Sequence, residues 1–145
     1  AHAVKSLGGK ARFIAFSDDM DPMRKVYPFL PKEYARWVGC PLYKIPDPWG
    51  CHGSYADHYL EELLSGFDAL GINPELVTSS DLYNSGQFSD LVTLTLKNRT
   101  KVNELLDRTV VESGGDPRKS KKEWPFQPEC PSCSSIQATT VAAFS

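Results

Sequence analysis

No apolar run in the sequence approaches the roughly 18 residues that a membrane-spanning helix needs. No basic, apolar and small-residue leader of the secretory kind opens it either. Excess basic charge is also missing: 16 Lys and Arg stand against 18 Asp and Glu in 145 residues, a formal net charge of -2. That excludes a global positive field able to hold a polyanion, so any nucleic-acid affinity must come from a local patch or from residues outside these 145. Histidine is scarce at 3 residues and methionine scarcer at 2. Residue 1 is Ala, not Met. The opening reads as the middle of a helix, with Ala1, Val4 and Leu7 apolar before Gly8 and Gly9 stop it, the pattern of a truncated gene product. No internal repeat is present.

What remains suffices for a fold. Hydrophobic residues make up 41% and charged residues 23%, a balance that lets the chain bury a core as one domain of ordinary size. Four Cys allow two disulfides, but the residues beside them favour metal, and metal-binding Cys fit a reducing, cytoplasmic setting.

Ala11–Phe16 is a short apolar run after Gly-Gly and before a cluster of Asp, which predicts a buried parallel strand ending at a polar carboxyl edge. In open α/β sheets ligands gather at that edge. Residues 22–50 hold six Pro and are expected to form a long connection, with a short helix near Lys32–Val38, held by something other than a core. Ser54, with Asp57 three residues on, caps a helix. Its inner positions are Tyr59, Leu60, Leu63, Leu64, Phe67 and Leu70, and Gly71 ends it. Glu75–Thr78 reads as a second strand, parallel to the first. Ser79 or Ser80 is expected to cap a short turn through Tyr83. One long helix is expected from Phe88 to Arg108, with Leu91, Val92, Val102, Leu105 and Leu106 inside. Residues 112–123 are Gly-rich and basic and read as a linker, either solvated or touching a phosphate backbone. Residues 124–145 then begin a different module around Cys130.

Three constellations carry chemistry. Asp47, Cys51, His52 and His58 place one carboxylate, one thiol and two imidazoles within twelve residues, a tetrahedral zinc set. The first three lie on a Pro/Gly loop, and His58 lies one turn inside the helix capped by Ser54. The bland alternative is a buried Cys51 with two incidental His. Cys130-Pro131-Ser132-Cys133 is a zinc knuckle, half of a site, with a redox pair or an exposed dithiol as rivals. Cys40 is unassigned and lies far upstream. Asp18, Asp19 and Asp21 gather carboxylates at a strand end, near Arg24 and Lys25. They form either a pocket for an ammonium or Mg2+, or a solvated turn.

Together these features resemble the class I lysyl-tRNA synthetases. The matching elements are Asp18, Asp19, Asp21, Arg24, Lys25 and Val26 after a strand, Pro46–His52 (PDPWGCH), Ser54–His58 (SYADH), Ser79 through Gly86 (S-x-x-L-Y-x-S-G) and Cys130–Cys133. The resemblance implies part of a Rossmann-like α/β catalytic domain with parallel strands over 1–111, and a zinc-containing connective insertion. It implies activation of lysine with ATP and Mg2+ and its transfer to tRNA(Lys). By position, Asp47, Cys51, His52 and His58 would bind one structural zinc, Cys130 and Cys133 half of another, and Asp18, Asp19 and Asp21 would line the amino-acid pocket. Gly53 stands where the family usually has Glu. The family's H-I-G-N and K-M-S-K-S signatures flank the matched region and do not occur in it, so these residues alone are expected to be inactive. A reading of another class is a free-standing zinc module that contacts RNA or protein.

Overall fold

Two parallel strands, β1 (Ile14–Ser17) and β2 (Glu75–Thr78), pair in register from Ile14 opposite Glu75 to Ser17 opposite Thr78. The computed structural model describes residues 2–115 and 124–144. A short helix α1 (His2–Ser6) precedes β1 and ends where Gly8, at φ 77°, lets the Gly9 N–H reach Val4 O at 2.9 Å. The crossover to β2 runs through α2 (Tyr55–Ala69), whose cap is the expected one: Ser54 Oγ accepts the Asp57 N–H at 3.1 Å. Phe67 of α2 meets Phe13 edge-on at 5.5 Å, and Arg12 pairs with Glu75 across the open end of the sheet. The architecture is α/β, with a two-stranded parallel sheet among the described residues.

The core cluster contains no strand residue. Met23, Leu30, Cys40, Ile45 and Tyr55 are buried together, with Val26, Tyr27, Tyr34, Trp37 and Leu42 against them. The Pro-rich stretch expected to lack a core therefore supplies it. Its own backbone closes it. The Met23 N–H donates to Cys40 O at 2.9 Å, Gly39 N–H to Met23 O at 2.8 Å and Leu42 N–H to Asp21 O at 3.0 Å, around the Pro22–Pro41 bridge. Short 3-10 helices, Lys32–Trp37 and Leu42–Lys44, follow Pro31 and Pro41. Proline here starts turns between buried side chains and does not exclude them. Burying a residue such as Ile45 or Met23 contributes about 1.5–3 kcal/mol.

Other expectations need correction. β1 begins at Ile14, three residues later than expected, and is not buried: Ala15 alone is enclosed, and Phe16 is 55% exposed. The stripe on α2 is likewise open at Tyr59, Leu63 and Leu70. A two-stranded sheet has too little surface to cover either face. Thr78, not Ser79 or Ser80, caps the helix α3 (Ser79–Asn84), its hydroxyl accepting the Asp81 N–H at 3.2 Å. The long helix is two, α4 (Ser89–Lys97) and α5 (Arg99–Glu112), broken at Asn98. The Asn98 side chain turns back to Leu94 O at 2.8 Å, competing with the helical backbone. Leu96 is the buried residue there, while Leu91, Leu105 and Leu106 stay exposed.

The expected linker is described only as far as Gly115: α5 reaches Glu112, and 116–123 lie outside the described residues. Past them, Trp124 is buried under the Arg99 guanidinium, 4.4 Å from its ring centroid. The chain then returns to the core loop. Glu129 pairs with Lys44, the Ile136 N–H donates to Gly39 O at 2.9 Å, and Ser135 Oγ lies 3.3 Å from the same oxygen.

Candidate metal centre and adjoining acidic cavity

The loop after Ile45 contains little to bury, and Asp47 organises it. Its side chain is enclosed and accepts four donors: Trp49 N–H on Oδ1 at 3.1 Å, and Cys51 N–H, His52 N–H and the Cys51 thiol on Oδ2 at 2.9, 2.9 and 3.2 Å. Burial by itself raises its pKa, but the Trp49 N–H, the Cys51 thiol and the His52 and Cys51 N–H groups outweigh this and hold the carboxyl well below the usual range. The same contact, with burial, pushes the Cys51 thiol up, because leaving as thiolate would place two anions together.

His58 closes the group from α2. Its Nδ1 lies 3.3 Å from Cys51 Sγ, 3.3 Å from His52 Nδ1 and 3.5 Å from Asp47 Oδ1. One donor atom from each of Asp47, Cys51, His52 and His58 lies within 4.8 Å of the others. Tetrahedral ligands at about 2.0–2.3 Å from an ion sit roughly 3.3–3.8 Å apart. Most of the separations are already of that size, and the donor set is chemically suited to zinc. The Trp49 ring stacks on His58 at 4.1 Å, shielding one face of the group. Gly53 adds no side chain, and a Cβ there would lie 3.1 Å from Asp57 Oδ2.

The three acidic residues after β1 differ in burial and partners, though Asp18 and Asp19 share the Ser79 hydroxyl. Asp19 is buried. It accepts Ser79 Oγ and Ser80 N–H on Oδ1 at 2.8 Å each and Ser80 Oγ on Oδ2. Asp18 is exposed and accepts Ser79 Oγ at 3.1 Å, and Asp21 stands 3.8 Å from Arg24. Asp18 and Asp21 border a cavity of about 600 Å3 whose other walls include Tyr83, Trp124, Phe126 and Glu129. Those aromatic walls and Glu129 were not anticipated. Trp124-Pro125-Phe126 marks a new module in the sequence, but nothing there says that it folds back beside the acidic residues that follow β1.

Cys130 sits in a tight turn, its N–H donating to Ser135 O at 3.0 Å and its carbonyl accepting Ser134 N–H at 2.8 Å. The N–H groups of Ser132 and Cys133 point at its sulfur and lower its pKa. Cys40, which seemed remote, packs beside this turn: its buried thiol donates to Cys133 O at 3.3 Å. Among the described residues no further donor joins Cys130 and Cys133 in a cluster like that at Asp47. No helix among them is long and apolar enough to cross a membrane.

Comparison with known proteins gives a consistent match. The family described as tRNA synthetases class I (K) matches residues 1–145. The chain is 39% identical over 143 residues to the lysine–tRNA ligase of Archaeoglobus fulgidus, covering 98% of this chain and 28% of that protein. It is 36% identical over 147 residues to lysine–tRNA ligase 1 of Methanosarcina acetivorans, covering 98% and 26%. It is 39% identical over 138 residues to the lysine–tRNA ligase of Picrophilus torridus, covering 95% and 26%. The chain thus spans about a quarter of the length of the curated relatives it matches.

Proposed function

The chain belongs to the class I (K) family of tRNA synthetases, and from that membership we propose that it serves a cytoplasmic lysine–tRNA ligase, which activates lysine with ATP and Mg2+ and transfers it to tRNA(Lys). Residues 1–111 are read as part of a Rossmann-like catalytic domain, 112–123 as a linker and 124–145 as the start of a zinc-knuckle module in the connective insertion. The parallel β1–β2 pair and the position of Asp18 at its carboxyl edge support this reading.

The observation that carries it is the cavity. Asp18 and Asp21 supply negative charge at one wall, and Tyr83, Trp124 and Phe126 supply apolar surface. A lysine has both requirements, an ammonium and a four-carbon stem that packs on apolar surface. Asp18 and Asp21 are the residues assigned to the amino acid. Asp19, though next in sequence, positions the strand ends through Ser79 and Ser80.

Asp47, Cys51, His52 and His58 are assigned to one structural zinc. Four protein ligands leave no position for water, so such an ion would tie the loop to α2 through His58 and not act on substrate. Cys130 and Cys133 are assigned half of a second zinc, and the sulfur-directed N–H groups at Cys130 favour its thiolate form.

Titration of the chain with lysine, followed by NMR of the Trp124 side-chain N–H and of Tyr83, tests the pocket. Shifts with lysine, weaker shifts with norleucine and their loss in Asp18→Asn are expected. Equal responses to lysine and norleucine would refute a contact with the side-chain ammonium and leave the α-ammonium as the group held, and a response unchanged in Asp18→Asn would refute the assignment.

A further inference from the structure

Only one nitrogen of His58 faces the other metal donors. Nδ1 points at Cys51 Sγ and His52 Nδ1, both at 3.3 Å. Nε2 points the other way, 3.7 Å from Glu62 Oε1, one helical turn further along α2. The ring cannot easily turn over, because Trp49 stacks on it at 4.1 Å with planes 25° apart and Tyr59 meets it edge-on at 5.4 Å. We infer that Glu62 is a positioning residue for the metal centre, accepting the Nε2–H of His58 and so keeping the Nδ1 lone pair free for the ion. The inference rests on reading the four donors as a metal site.

A neutral imidazole carries one proton, and the partner of one nitrogen decides which nitrogen holds it. A proton on Nε2 suits a carboxylate at Glu62 and leaves Nδ1 as the lone-pair donor. A proton on Nδ1 would be aimed into the ligand cluster and would strand the carboxylate opposite a second acceptor. At 3.7 Å the contact is an ion-pair distance, longer than a hydrogen bond. The Glu62 side chain is 68% exposed, so a change of side-chain torsion can close the gap without disturbing packed neighbours. Both residues sit on one face of α2 at i and i+4, so the helix sets their distance. An ion held by Nδ1 would withdraw density from the ring and make Nε2–H a stronger donor. The carboxylate would therefore stabilise the loaded site more than the empty one, and its contribution would appear as affinity.

The test compares zinc affinity of the unaltered chain, Glu62→Ala and Glu62→Gln by competition with a chromophoric chelator, with far-UV circular dichroism confirming that the helices persist. Glu62→Ala is expected to weaken zinc binding about tenfold, the lower end of the effect of removing such a partner. Glu62→Gln, which keeps an acceptor oxygen, should recover most of the loss. Long-range 1H–15N spectra of the zinc-loaded chain should show His58 protonated at Nε2, with faster exchange of that proton in Glu62→Ala. Indifference to Glu62→Ala, equal losses in Ala and Gln, or a zinc-loaded His58 protonated at Nδ1 would each overturn the inference while leaving the metal site standing. Absence of zinc uptake by the unaltered chain would overturn the metal reading itself, and the inference with it.

Discussion

Replacing Asp19 by Ala should destabilise the chain far more than the same change at Asp18. Asp19 accepts Ser79 Oγ and Ser80 N–H at 2.8 Å and also Ser80 Oγ, all in a buried setting. In Asp19→Ala these donors fare differently. Ser79 Oγ still has Asp18 Oδ1 at 3.1 Å, and Ser80 Oγ still has Thr78 Oγ1 at 3.3 Å. The Ser80 N–H has no such fallback, and an orphaned buried donor costs about 1–3 kcal/mol. Losing charge-assisted bonds adds to this, for a total of about 2–4 kcal/mol. Asp19→Asn keeps one oxygen for Ser79 and Ser80 N–H and should cost about 1 kcal/mol. Asp18→Ala, at an exposed position with one shared bond, should stay within about 0.5 kcal/mol. Urea unfolding followed by circular dichroism reads all three. A midpoint for Asp19→Ala indistinguishable from the unaltered chain, or a larger loss for Asp18→Ala, would refute the claim that Asp19 holds the strand ends together.

Cys51→Ser should lower zinc affinity by about 100-fold, roughly one ligand's share of the 10–16 kcal/mol of a four-ligand site, and equal zinc content in both proteins would remove the site. The Cys51 pKa is raised above its ordinary 9.0, first by its bond to Asp47, so the thiol is protonated at neutral pH and zinc must displace that proton. Affinity should therefore fall about tenfold per unit of falling pH from this proton alone, a component that Cys51→Ser must abolish. Gly39→Ala should cost about 2 kcal/mol in urea unfolding, because φ is 89° and a Cβ would lie 2.7 Å from Ser135 Oγ. Stability within about 0.5 kcal/mol of the unaltered chain would mean that the Cys130 turn does not pack there as described.

Local chemistry was legible in the sequence wherever a few adjacent residues decide the outcome. The Ser54 cap, the Glu75–Thr78 strand and the reach of His58 back to its loop each depend on spacing within one turn or one pleat. What spacing cannot carry is contact between distant segments. Asp18, Asp19 and Asp21 look alike in the chain, and Ser79 and Ser80, some sixty positions away, set Asp19 apart. Cys40 looked isolated for the same reason, since its neighbour Cys133 is 93 positions on. The missed cap was in principle readable: Thr78 stands three residues before Asp81, as Ser54 stands before Asp57. The break at Asn98 was also signalled, since Asn competes with the helical backbone for hydrogen bonds, but the apolar period on either side concealed it. The Pro-rich core is not legible from proline count, because proline breaks regular structure and also starts the short turns that leave the residues between them free to be buried.

Asp47 links the two supports of the central loop. On one side Ile45 is fully buried in the core, and its carbonyl accepts the Tyr55 N–H at 2.7 Å, tying the start of α2 to that core. On the other, Asp47 collects the N–H groups of Trp49, Cys51 and His52. These bonds shape the ligand loop using backbone donors alone, so the loop need not wait for an ion to acquire its turn. Ion binding would then cost little ordering of the chain, since the dihedral angles of 47–52 are already fixed by the carboxylate. Loading would remove the Cys51 thiol proton from Asp47 Oδ2, which keeps the Cys51 and His52 N–H groups; Oδ1 accepts only the Trp49 N–H, lies 3.5 Å from His58 Nδ1 and has a lone pair left for an ion. A carboxylate is thus better suited to position 47 than a third histidine. Two oxygens can serve three backbone N–H groups and still present a lone pair to an ion, whereas a neutral imidazole offers a single acceptor nitrogen and could not do both.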